Sequence, residues 1–256
     1  MTFFDAALLG AIEGITEFLP ISSTGHLILA SHLLGLPDGS FLTSFEIAIQ
    51  LGAICAVLLL YWRSFLDLEI IKRLLAGFIP TAVIGLLLYS FVKHHLLGNE
   101  MVVVIALLVG GIALIAFELL HKERGDAPEG LTTITYPQAF LIGICQSFAM
   151  IPGVSRSAAT IMGGLLLGVR RTTIVEFSFL LAVPTMGAAV TLDVLKSYQS
   201  FTTDAIGYIA VGFVTAFLVA LVAVKFLLKF IKTSTFIPFG IYRIVIAALF
   251  FFLVLY

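Results

Sequence analysis

The chain has 256 residues, of which 61% are hydrophobic and 11% charged, with a formal net charge of -1. Soluble domains are about a quarter charged, so these polar groups cannot cover a water-facing surface, and no basic tract suits nucleic acid. Apolar runs of about 20 residues recur, the length that crosses a hydrocarbon core; without strand-like alternation, such spans are helices.

The expected fold is an all-α polytopic membrane protein. The first segment, about 3–18, carries Asp5, Glu13 and Glu17 and stops at Pro20; the next, about 23–34, is also too short to cross. Two short helices around a polar turn read as a re-entrant hairpin, which membranes tolerate where protein buries the turn. Segments 42–62, 74–92 and 100–121 read as three spans, and the polar stretch Lys122 to Thr135 is the linker. A second short pair, about 136–150 and 155–168, brackets Pro152, and spans near 172–195, 205–231 and 237–256 follow. Met1 to Leu9 have no basic stretch or small-residue cleavage site, so no removable signal peptide is expected. Cys55 and Cys145 lie in apolar runs without metal-ligand spacing and read as packing residues.

The second half repeats the first. Gly10 corresponds to Gly143, Glu13 to Gln146, Pro20 to Pro152, and Gly77-Phe78…Thr81-Ala82 to Gly212-Phe213…Thr215-Ala216, at offsets of 132 to 135 residues. A returning hairpin plus three crossings is an odd number, so repeat one (1–125) and repeat two (130–256) insert with opposite topology within one membrane domain, 1–256. That is the architecture of inverted-repeat transporters, with a site where the halves meet. If the N-terminus lies on side one, the loops of side two carry Arg63, Lys72, Arg73, Lys122, Arg124, Arg170, Arg171, Lys229 and Lys232, against Lys93 and Lys196 on side one. Basic short loops stay cytoplasmic, which places both termini outside.

Two polar islands interrupt this apolar sequence. Glu13 and Glu17 share one helix face, and carboxylates at membrane depth are costly enough to mark function. They suit a divalent cation or a general base; a hydrated mouth or a structural ion pair is the blander reading. Ser22, Ser23 and Thr24 follow Pro20 where a helix begins, a place for plain N-caps or for phosphate. His26 sits one turn further, near enough to exchange a proton with a group bound there. In the second island Arg156, between Ser155 and Ser157, needs an anion: a phosphate held bidentately, or one of Glu13, Glu17, Glu46 and Glu176. Glu46, Gln50, Gln146 and Glu176 read as supporting residues around the site. Asp193, Lys196, Lys225 and Lys229 read as interface anchors.

The run Glu13-Gly-Ile-Thr-Glu-Phe-Leu-Pro-Ile-Ser-Ser-Thr-Gly-His26, with Pro152-Gly-Val-Ser-Arg-Ser157, resembles the bacterial undecaprenyl-diphosphate phosphatase, or bacitracin-resistance, family. The resemblance extends to Phe45-Glu46…Gln50-Leu51-Gly52, to Glu176-Phe-Ser-Phe-Leu-Leu-Ala-Val-Pro184, and to Phe236-Ile-Pro-Phe239…Tyr242-Arg243. It implies hydrolysis of a long polyprenyl diphosphate to the monophosphate in the bacterial plasma membrane, recycling the carrier for peptidoglycan synthesis. It also implies a divalent cation, Mg2+ or Ca2+, and a site opening outward among membrane lipids. Glu13, Glu17, Ser23, His26 and Arg156 take the family's functional positions, with either Ser23 or a water attacking phosphorus. Ala158 departs from the glycine the family commonly has after Ser-Arg-Ser, which bears on local geometry. A homo-oligomer is compatible with this reading. The competing function is a transporter or flippase of polyprenyl phosphate using the same site.

Overall fold

The computed structural model describes residues 1–37, 39–96, 98–121, 127–197 and 205–255; the side chains at 40, 93, 192–197, 205 and 255 are not described. The expectations for Lys93, Lys122, Arg124, Asp193 and Lys196 fall outside these. The described elements are helical: α1 (Phe3–Thr16), α2 (Ser23–Leu33), α3 (Ser40–Leu60), α4 (Leu68–His95), α5 (Glu100–Leu120), α6 (Tyr136–Ser147), α7 (Arg156–Leu166), α8 (Arg171–Ser197), α9 (Ala205–Phe230) and α10 (Ile237–Phe250), with short 3-10 turns between some of them. Among the described residues six helices are long and apolar enough to span a membrane: α3, α4, α5, α8, α9 and α10. The protein is a multi-pass membrane protein, and α1–α2 and α6–α7 are the short pairs that were expected.

Local chemistry sets the ends. Thr2 and Asp5 form a capping box at α1, with Asp5 N–H donating to Thr2 Oγ1 (3.2 Å) and Thr2 N–H to Asp5 Oδ2 (2.6 Å). Thr135 and Gln138 form the same box at α6. Helix α4 begins six residues before the span expected at 74, because Asp67 Oδ1 accepts from Glu69 N–H (2.8 Å) and Ile70 N–H (3.4 Å). Lys72 and Arg73, expected in a loop, therefore lie inside that helix and pair with Glu69 at 2.9 Å each.

Helix α1 packs on α9, and α6 packs on α4; α3 and α8 pack together, as do α5 and α10. Small residues set these close approaches. A methyl added to Gly10 would meet the Gly212 carbonyl, and one added to Gly143 would meet the Gly77 carbonyl and Pro80. Gly10→Ala and Gly143→Ala are each expected to cost about 1–3 kcal/mol by overpacking, seen as a lowered melting temperature in detergent. Unchanged melting would mean that the helices part freely there.

The first hairpin turn is buried, and in the second Pro152, Gly153 and Ser155 are buried. Phe18, Leu19 and Ile21 belong to the central hydrophobic cluster with Phe177 and Phe179, and Phe18 meets Phe179 edge-to-face at 5.4 Å. At one end of the bundle the connections lock together. Arg171 pairs with Glu118 (2.7 Å), Arg170 with Glu129 (3.2 Å), and Arg73 Nε donates to Ile134 O (2.6 Å). Exposed leucines such as Leu86, Leu87, Leu119 and Leu120 form the outer surface of the spans, as lipid contact requires.

Candidate active site

The two polar islands meet. Arg156 Nη2 donates to Glu17 Oε1 at 3.1 Å, with both side chains nearly buried. Ser157 Oγ donates to Leu19 O in the first turn (2.8 Å) and exchanges a hydrogen bond with Ser155 Oγ (3.0 Å). Ser155 also caps α7, accepting from Ala158 N–H at 3.2 Å, so alanine at 158 keeps that cap bond.

Glu17 is the hinge of the arrangement. Its second oxygen, Oε2, accepts from Ser23 Oγ at 2.6 Å, the length of a charge-assisted O–H···O bond. The ion pair considered for Arg156 is therefore present, and it leaves donor capacity. Nη1 donates to Ser178 O (2.7 Å), whereas buried Nε meets no acceptor among the described residues. The guanidinium also lies 5.8 Å from the Phe18 ring centre.

A cavity of about 220 Å³ opens beside this pair, lined by Glu17, Ser22, Ser23, Thr24, Gln50, Gln146, Ser155 and Arg156, and closed by residues that include Met150 and Met186. A second cavity, about 740 Å³, is lined by Thr24, Ser31, His32, Glu46, Asn99, Glu100 and others, and shares Thr24 with the first. Gln50 and Glu46, both expected around the site, thus line different cavities.

Glu13 is fully buried, and neither of its carboxylate oxygens meets a donor among the described residues. Glu17 and Glu46 are its charged neighbours, and Arg156 acts on it electrostatically. A buried carboxylate without donors, next to a second one, is a site that fits a hard cation. No group of three or more His, Cys, Asp or Glu suited to a metal occurs among the described residues.

His26 is placed differently from expectation. Its Nδ1 bonds Ser22 O at 2.7 Å, and its Nε2 bonds the Tyr242 hydroxyl at 2.8 Å. A carbonyl only accepts, so Nδ1 carries the proton, and in the neutral ring Nε2 accepts from Tyr242. The rings stack at 5.4 Å. His26 clamps the Ser22 carbonyl and is not among the residues lining the smaller cavity. Ser22 has φ 72°, the one positive value among described non-glycine residues; such backbone is strained and needs support. Ser22 makes no side-chain cap bond to α2. Glu176 is not brought to this site: its charged neighbours are Glu129 and Lys232, near the interlocked loops.

Tyr242 and Arg243 were quoted only as part of the resemblance. Arg243 is 1% exposed, and it donates to Pro20 O (3.4 Å) and Gly153 O (3.1 Å), one carbonyl from each turn. It also donates to Ala106 O (2.9 Å) and Leu107 O (3.4 Å). A lone arginine inside an otherwise apolar helix was the signal that could have singled it out.

A family model described as bacitracin resistance protein BacA matches residues 6–249. A protein named undecaprenyl-diphosphatase from Sulfurihydrogenibium sp. (strain YO3AOP1) is 51% identical over 251 residues, covering 98% of this chain and 99% of that one. One of the same name from Aquifex aeolicus (strain VF5) is 51% identical over 251 residues, covering 96% of each chain. A third, from Persephonella marina, is 48% identical over 256 residues and the full length of both. The similarity takes in both hairpins, Arg243 and all six spans, and the chain belongs to the bacitracin resistance protein BacA family.

Proposed function

We propose that this protein hydrolyses undecaprenyl diphosphate, or a similar long polyprenyl diphosphate, to the monophosphate and orthophosphate. The observation that carries the reading is Glu17 joining the Ser23 hydroxyl at 2.6 Å to the Arg156 guanidinium at 3.1 Å beside a polar cavity. Nucleophile, base and phosphate-binding cation are thereby within reach of one another, which is the pattern of an activated nucleophile.

Phosphoryl transfer is chiefly positioning and charge stabilisation. Arg156, with an Nε that no protein group occupies, and the start of α7 bind the terminal phosphate. Ser23 Oγ attacks phosphorus and its proton passes to Glu17; the bridging P–O bond breaks and the lipid monophosphate leaves. Water then releases orthophosphate from Ser23. Glu17, not His26, is the group placed to take the proton, while His26 holds the turn from behind. Glu13 and Glu17 would hold a divalent cation, which when bound neutralises charge on the diphosphate. The prenyl tail lies along the apolar outer faces of the spans.

In this reading 1–125 and 130–256 are inverted repeats. Support comes from the capping boxes at equivalent positions and from the reciprocal packing of α1 on α9 and α6 on α4. Both termini face outward, as the basic residues gathered at the interlocked end support, and the site opens to the outside. A carrier would have no use for a serine hydrogen-bonded to a buried carboxylate, so hydrolysis is preferred over flipping.

The test is phosphate release by purified protein from a long-chain polyprenyl diphosphate. Wild type is expected to release phosphate and to lose that activity on chelation, and Ser23→Ala to lower kcat by about 1000-fold. A Ser23→Ala protein that turns over at the wild-type rate would remove serine as the nucleophile, and no release by wild type would remove the enzyme reading.

A further inference from the structure

The hydrolytic reading requires one water to be aimed at phosphorus, and the inference here rests on that reading. Gln146, on α6, is 2% exposed. Its amide Nε2 donates to two hydroxyls, Thr81 Oγ1 on α4 and Thr185 Oγ1 on α8, each at 3.0 Å. Neither threonine has a proton to return. Thr81 gives its own to Gly143 O (2.7 Å), and Thr185 gives its own to Leu181 O (2.7 Å). Two committed hydroxyls can only accept, so the amide cannot flip. Its oxygen, Oε1, is therefore turned away from the threonines, and no donor among the described residues reaches it.

Gln146, Thr81 and Thr185 line the same cavity as Glu17, Ser23 and Arg156. A fixed buried acceptor needs a donor, and the donor this reaction consumes is water. The diphosphate seeks the N–H groups of arginine and has few protons to offer an amide oxygen; water has two. We propose that Gln146 Oε1 positions the water that completes hydrolysis, with Thr81 and Thr185 setting the direction of that oxygen. The water oxygen bonds to phosphorus as the Ser23 Oγ–phosphorus bond breaks. Glu17 returns to Ser23 Oγ the proton it took in the first step, and both water protons leave on orthophosphate. Gln146 is a positioning residue in this scheme, acting through the water.

The discriminating measurement is partitioning between water and an added alcohol. Purified full-length protein is given a long-chain polyprenyl diphosphate in buffer containing methanol, and orthophosphate and methyl phosphate are both measured. Gln146→Met keeps the side-chain length and removes the acceptor. It is expected to lower kcat by about 100-fold, the loss that follows a misplaced reactant, with KM little changed, and to raise the ratio of methyl phosphate to orthophosphate by about 10-fold. Thr185→Val, which lets the amide turn, is expected to shift the ratio in the same direction by a smaller factor. If Gln146→Met does not fold, the threonine variant decides alone.

A merely structural glutamine would lower both products together, so an unchanged ratio overturns the inference, as does a normal kcat in a folded Gln146→Met protein. A wild-type protein that releases no phosphate overturns the underlying hydrolytic reading and the inference with it. An active wild type with unaltered partitioning in both variants overturns the inference alone.

Discussion

Replacing Arg156 by alanine is expected to lower phosphate release by about 1000-fold, the range seen when a charge-stabilising donor is removed from a phosphoryl-transfer site. Two losses combine. The terminal phosphate loses the Nε donor that no protein acceptor occupies, and Glu17 loses the cation that fixes Oε1 while Oε2 holds Ser23. Removing one member of a buried pair also costs about 3–5 kcal/mol of stability, so the melting temperature of the variant must be measured beside its turnover. Arg156→Lys separates the effects. Lysine keeps the positive charge near Glu17 and much of the stability, but its three donors share one nitrogen and cannot reach Ser178 O, Glu17 and a phosphate as the separate nitrogens of the planar fork do. Turnover of the lysine variant should remain about 100-fold below wild type. Near-normal phosphate release by folded Arg156→Ala protein would end the role of Arg156 as the phosphate clamp.

Arg243→Met is expected to destabilise the fold strongly, by about 3–5 kcal/mol. The guanidinium is buried against four backbone carbonyls, those of Pro20, Ala106, Leu107 and Gly153, and two of these are the turns themselves. Gly110 makes room for it, since a methyl there would collide with the guanidinium. Methionine fills the stem but removes the donor from the Pro20 and Gly153 carbonyls, each a desolvation cost, whereas Ala106 O and Leu107 O keep their places in the α5 ladder. Activity measured well below the melting temperature should fall as well, because a shift of about 1 Å between the turns can cost about 100-fold in rate. The check is thermal melting in detergent together with phosphate release at low temperature. An Arg243→Met protein with both at wild-type values would mean that packing alone sets the distance between the hairpins.

Much of this was legible in the sequence, for identifiable reasons. Pro20 and Pro152 end short helices, and acids, hydroxyls and an arginine in an apolar context are too costly to be incidental; the contact between Glu17 and Arg156 follows from that cost. The boundaries of the spans followed from hydropathy, except at α4. There Asp67 caps a charged first turn that composition assigns to a loop. Other features had no local signature. His26 is four residues from Ser22, which explains their bond, but its second partner, Tyr242, is 216 positions away. Periodicity along one helix cannot say which distant helix will supply a phenol. Glu176, grouped with the site in the sequence, lies five residues into α8 beside Glu129 and Lys232. A carboxylate one turn from that start belongs with the loops, whatever its place in an apolar window. The orientation of the Gln146 amide became readable only once two threonines from different helices were seen to share it.

The exchange of helical partners has a consequence for biogenesis. Helix α1 leaves the ribosome long before α9, the helix it packs against most extensively, which begins at Ala205. The nascent N-terminal hairpin, with its acids, must therefore wait while most of the chain is synthesised, shielded by the translocation machinery or by water at the bilayer edge. Assembly of the candidate site is thus expected to be a late, post-insertional event, and a ribosome that stalls before α9 to leave a chain whose polar hairpin has no berth.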